Sequence, residues 1–201
     1  MRLVHLFLLL TMAACAAPRA SVRPLGTASK SSDFGDYSFQ RIGVLMPEGE
    51  GLDPDFLRTL RDALASEFTA ATSCEIVPLG ESDTEAVSRL NPSRTGRIRP
   101  EPVLELARRS SLDGLITTRV LELRPYAPVR LVLSMDLIAV ETGLVTWSGS
   151  VRVDTSDRET LAAIRSWHDA VRGGNETDQA LDLLSPVRIA EFAALQAGLI
   201  L

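Results

Sequence analysis

Few residues of this chain are of a type and placement that could do chemistry. They are two histidines, His5 and His168, two cysteines, Cys15 and Cys74, and the mid-strand carboxylate Asp136. His5 lies in an apolar N-terminal run, so His168 is left for proton transfer. It sits in an amphipathic helical stretch, and a single histidine on a helix that packs on a sheet reads as a boundary residue rather than a base. Cys74 has no CxxC partner and reads as a small core residue. No strand is followed by a Gly-rich phosphate loop. A metal site would need ligands the chain lacks, short of an all-carboxylate cluster. Asp136 falls beside Ser134 and opposite Ser148, a hydrogen-bonded sheet position before it is a functional acid. Arg130 opposite Asp154 reads as a surface ion pair of little worth. The expectation is a protein that is not an enzyme, with no cofactor, no metal and no evident small-molecule substrate.

The N-terminus carries chemistry of another kind. Arg2 precedes the apolar run Leu3–Leu10 and then small residues, the build of a secretory signal. That run is far short of the ~20 residues a membrane-spanning helix needs. It ends in Met12-Ala13-Ala14-Cys15, which resembles the lipobox of bacterial lipoproteins, with Met12 where that family usually has Leu. The resemblance implies cleavage before Cys15 and acylation of it; the other reading is ordinary cleavage after Ala14 or Ala16 into a free periplasmic protein. Ala16 rather than Asp after the cysteine implies, by resemblance to Gram-negative sorting, the periplasmic face of the outer membrane. The domains expected are therefore a signal over 1–14, a tether over 15–38 that is rich in Ala, Pro, Ser, Gly and Thr, and a periplasmic domain over 39–201. A flexible tether of that length spans about 25–29 Å on average, unless Phe34, Tyr37 and Phe39 pack it on the domain.

The chain has 201 residues, 45% of them hydrophobic and 23% charged, which suits one globular domain with appendages. Its formal charge of −5 becomes −6 when the signal and its Arg2 are removed. That balance argues against nucleic acid. Against it stands a local basic cluster, Arg94, Arg97 and Arg99, in the irregular stretch 80–99, with Arg108 and Arg109 on the next helix. The cluster suits an anionic envelope polymer or an acidic patch on a partner, or is a solvated loop. Tyr126 lies between Pro125 and Pro128 on a hairpin tip, either a recognition point or a plain turn. Arg94, Arg97, Arg99 and Tyr126 are the candidate interaction residues.

The elements that must position these residues centre on Leu112–Asp154. Strands are expected over 115–123, 129–140 and 144–153, from period-two alternation such as Leu131, Leu133, Met135 and Leu137. Glu141-Thr142-Gly143 predicts a tight turn pairing Val140 with Leu144, which sets Leu137 against Trp147 and Leu133 against Val151. Earlier, 41–46 and 75–79 read as short buried strands. Between them Asp53-Pro54 opens a helix with Phe56, Leu60, Leu64 and Phe68 on one face. Helices are also expected over 100–111, after a capping box of Ser156 and Glu159, and after Ser185-Pro186. The fold class is α/β, a mixed five-stranded sheet in the order β-α-β-α-β-β-β with C-terminal helices, all helices packed on the sheet.

Leu112-Asp113-Gly114-Leu115-Ile116 entering a strand, and the hairpin Met135–Gly149 with Glu141-Thr142-Gly143-Leu144-Val145-Thr146-Trp147-Ser148 at its turn, resemble one superfamily. It holds the curli-secretion lipoprotein, the penicillin-binding-protein activator lipoprotein and the TolB amino-terminal domain. Ile42-Gly43-Val44-Leu45-Met46-Pro47 matches its early strand. The resemblance covers most of 40–155. It implies a non-enzymatic, TolB-like domain, lipid-anchored through Cys15, that binds or regulates a protein partner in envelope assembly or secretion. The alternative is a self-assembling subunit of a secretion ring or channel, although no spare pair of amphipathic strands is present to line a pore.

Overall fold

The computed structural model describes residues 22–83, 100–172 and 185–201, without the side chains of 100–104 and 172. Residues 1–14, read as a signal, and Cys15, Arg94, Arg97 and Arg99 lie outside the described residues. Six strands form one mixed sheet: β1 (Gly26–Lys30), β2 (Arg41–Val44), β3 (Glu75–Pro78), β4 (Gly114–Arg124), β5 (Arg130–Ala139) and β6 (Val145–Asp154), in the order β1-β6-β5-β4-β2-β3. The described helices are α1 (Pro54–Ala71), α2 (Pro100–Ser110), α3 (Arg158–Arg172) and α4 (Pro186–Gly198). β2 runs parallel to β3 and β4, as helical crossovers require, and β4, β5 and β6 form an antiparallel meander.

The expected α/β sheet is present with one strand more than the sequence predicts. β1 comes from the stretch read as tether. Gly-Thr-Ala-Ser-Lys has no apolar alternation because an edge strand with exposed faces needs none. Its backbone pairs with β6 from Gly26↔Val151 to Lys30↔Trp147, and Leu25 N–H donates to Gln196 Oε1 at 2.7 Å. Part of the stretch read as tether thus belongs to the sheet, and Val22 before it is buried.

Helix α1 starts where Asp53 Oδ1 accepts from the Asp55 N–H, with Pro54 in the first turn, and it buries Phe56, Leu60, Leu64 and Phe68. These meet Leu131, Leu133, Met135, Leu137, Trp147, Val151 and Val153 of the sheet, together with Ile164 of α3 and Ile189 and Phe192 of α4. That is the main core. A smaller cluster on the opposite face joins Leu106 and Ala107 of α2 to Leu115, Ile138 and Val140. Helix α3 is capped by Asp157, not by Ser156: the Thr160 N–H and hydroxyl both donate to Asp157 Oδ2. Ser156 is occupied elsewhere, with its hydroxyl given to Asp154.

The hairpin register is as expected along its length, Leu137 against Trp147 and Leu133 against Val151. Near the turn it differs by one residue. Ala139 accepts from the Gly143 N–H and donates to the Leu144 carbonyl, so the loop is Val140–Gly143, with Gly143 at φ +69°. The shift is undone at once by a bulge at Thr146, the extra residue between the pairs Ile138↔Val145 and Leu137↔Trp147. Thr146 stays buried because its hydroxyl donates to the Leu137 carbonyl at 3.2 Å. A second bulge falls between Val120 and Glu122 on β4. It leaves Leu121 unpaired and returns Leu123 to the core face opposite Leu131.

Candidate interaction surface

At one end of the sheet the pairs Arg124↔Arg130 and Arg130↔Asp154 bring together the tip of the β4–β5 hairpin and the end of β6. The start of β1 lies at this same end, since Gly26 pairs with Val151. Its base is rigid. Val129 donates to Thr155 Oγ1 at 2.8 Å, and Thr155 N–H donates back to the Val129 carbonyl at 2.9 Å. Asp154 is nearly buried and accepts from the Ser156 hydroxyl and N–H, from Arg130 Nε at 2.8 Å and from Arg152. The Ser156 hydroxyl, more than any other group, holds the Asp154 carboxyl far below the usual carboxylate range. Arg130–Asp154 is thus a corner bracket and not the surface pair expected from the sequence.

From this base the tip projects into solvent. Tyr126 is 81% exposed and the bulge residue Leu121 is 60% exposed. Arg119 and Arg124 are exposed beside them. Tyrosine there has no structural task that would require an aromatic.

The sheet face opposite the main core carries a second surface, one that was not anticipated. Where α2 no longer covers it, paired residues form two polar rows across four strands, Thr117, Asp136, Ser148 and Ser29, then Arg119, Ser134, Ser150 and Thr27. Ser148 Oγ donates to Asp136 at 2.7 Å, so Asp136 has the hydrogen-bonded sheet role its spacing suggested. The signal was present in the sequence, as serine and threonine at alternate positions of β1 and β6, but hydroxyl alternation is also what any solvated sheet face shows.

At the far end of the sheet, Tyr37 and Phe39 stack at 5.9 Å and 18° over a cleft of about 220 Å³ that reaches Asp113 and Glu141. The Asp113 carboxylate is already engaged by the N–H groups of Gln40 and Arg41.

His168 is buried, with Nδ1 3.7 Å from Asp169. It lies on α3, on the main-core face, so the whole sheet separates it from Asp136 and the two cannot act on one substrate. Cys74 is half-buried, its thiol against the Phe39 carbonyl. Arg109 pairs with Asp83 at the end of α2. Among the described residues no three His, Cys, Asp or Glu side chains group as metal ligands, and no helix is long and apolar enough to cross a membrane.

No family model and no curated protein matches the chain. Among solved structures it is similar to the PelC dodecamer from Paraburkholderia phytofirmans, 16% identical with a TM-score of 0.45 over 81% of this chain and 97% of that one. Lipoprotein GNA1162 from Neisseria meningitidis is 18% identical with a TM-score of 0.43, over 63% and 91%. The C-terminal domain of LpoB from Salmonella enterica is 18% identical with a TM-score of 0.35, over 58% and 84%. They bring no site residue across to this chain.

Proposed function

We propose that this protein is an outer-membrane lipoprotein, anchored through Cys15, whose periplasmic α/β domain binds or regulates a protein partner in envelope assembly or secretion, without catalysis. The observation that supports it most is the direct succession of an acylation motif and a folded domain: Cys15 precedes buried Val22 by only seven residues. The dispersal of His168, Cys74 and Asp136 over separate parts of the fold suits a binding role better than a reaction. In-cell crosslinking of a copy tagged through a flexible linker after Leu201, followed by mass spectrometry of the products, tests the reading. One discrete heterologous partner is the expected result.

A second reading, a self-assembling ring subunit, is favoured by the outer edge of β1, which faces no other described strand. It predicts a ladder of the protein with itself and a multiple of the chain mass in mild detergent.

A further inference from the structure

The geometry points to the hairpin tip around Tyr126 as a second contact with the lipid surface, one that orients the anchored domain with the start of β1 toward the membrane. This rests on the acylation of Cys15 proposed above. Between Cys15 and Val22 the chain has seven Cα–Cα steps, which reach at most about 23–25 Å fully extended. Val22 is fixed in the main core, and its neighbour Arg23 pairs with Glu159 in the first turn of α3. The end of the domain that holds Val22 is therefore confined close to the bilayer.

The strand registers put the β4–β5 tip at that same end. From β1 to β4 there are three strand spacings, about 14 Å laterally. The tip also extends past the point where β1 begins, because Gly26 aligns with Val151 and Leu133 while the hairpin continues to Arg124 and Arg130. What it presents is Tyr126, an aromatic with an apolar body and a polar end, held out between two prolines. Arg124 precedes it by two residues, and the exposed bulge residue Leu121 lies lower on β4, near the level of Leu133. Tyrosine is enriched at membrane–water interfaces for that division of character. Charge does not distinguish the two ends: Asp33, Asp36, Asp113 and Glu141 share the far end with Lys30 and Arg41, and Glu122, Asp157 and Glu159 share the tip end with Arg23, Arg124 and Arg152. A lipoprotein anchor of two or more acyl chains already holds the protein at the bilayer; what the second contact adds is loss of rotational freedom about the tether.

Trp fluorescence of the full lipidated chain reads this directly. The protein is reconstituted in vesicles of phosphatidylethanolamine and phosphatidylglycerol with brominated acyl chains, and the quenching of Y126W is compared with that of L144W at the far end. Buried Trp147 and half-buried Trp167 give a background measured in the parent chain. Y126W is expected to be quenched several-fold more than L144W. L121W reads the same surface should the tyrosine variant fold poorly. Intact-mass measurement of the same samples separates the two readings. An unacylated N-terminus overturns both, whereas an acylated chain with equal quenching at the two ends overturns the orientation alone and leaves the tip to a protein partner.

Discussion

The carboxylate of Asp113 accepts from the backbone N–H groups of Gln40 and Arg41 at 3.0 and 2.9 Å. The same residue's N–H donates to the Arg41 carbonyl, and its own carbonyl accepts from Val140. The side chain and both main-chain polar groups of one residue thus join the entries of β2 and β4 to the end of β5.

Removing that acceptor hands two exposed strand-entry N–H groups to water. Asp113→Ala should cost about 0.5–1.5 kcal/mol in urea unfolding, and Asp113→Asn, which keeps an oxygen, should cost less. Equal losses in the two variants would show that the charge, rather than the acceptor, holds the entry.

Gly149 sits two residues from Trp147 on the same face, and a Cβ there would meet the indole ring. Gly149→Ala should destabilise by about 1–3 kcal/mol through overpacking. In a Trp147→Leu background the penalty should shrink, and a double-mutant cycle measures the difference as coupling between the two sites.

Asp154 sets a pH dependence. Its folded carboxyl, held chiefly by the Ser156 hydroxyl, titrates below the unfolded value of 3.8, so its contribution is complete above that value and is lost as pH falls toward the folded one. Asp154→Asn should be less stable at neutral pH, and its stability should fall less steeply than that of the parent below about pH 4. Unfolding midpoints of the two proteins between neutral and acid pH provide the check.

Tyr126→Ala should leave unfolding stability within about 0.5 kcal/mol of the parent, as expected for a side chain this exposed. A larger loss in thermal or urea unfolding would assign the tip a structural task.

Much of this architecture was legible because apolar alternation in the sequence reports burial. Leu131 to Leu137 and Trp147 to Val153 announced both their strands and their pairing, and Asp53-Pro54 announced α1. β1 was not legible, because an edge strand open on both faces leaves no apolar pattern. Asp154 was misread for a related reason: its pairing with Arg130 was legible, but the closure of Arg130, Arg152 and Ser156 together on one carboxylate was not. The one-residue difference at the Val140–Gly143 loop had no sequence signal either, since a compensating bulge at Thr146 hides it from every pair further along. Of the candidate residues, Tyr126 could be suspected from its flanking prolines, whereas the hydroxyl rows needed the register before they became rows at all.

The bond from the Leu25 N–H to Gln196 Oε1 spans 171 positions, and β1 itself pairs only with β6. The N-terminal strand therefore has nothing to dock on until the last strand and the last helix are in place. Contacts of this kind close late because the loop entropy is paid before they form. A chain that enters its compartment N-terminus first would carry its leading strand unpaired for the whole of that passage. Its bare backbone edge is then a place where a chaperone, or a second unfinished copy, meets the nascent domain before its own β6 does.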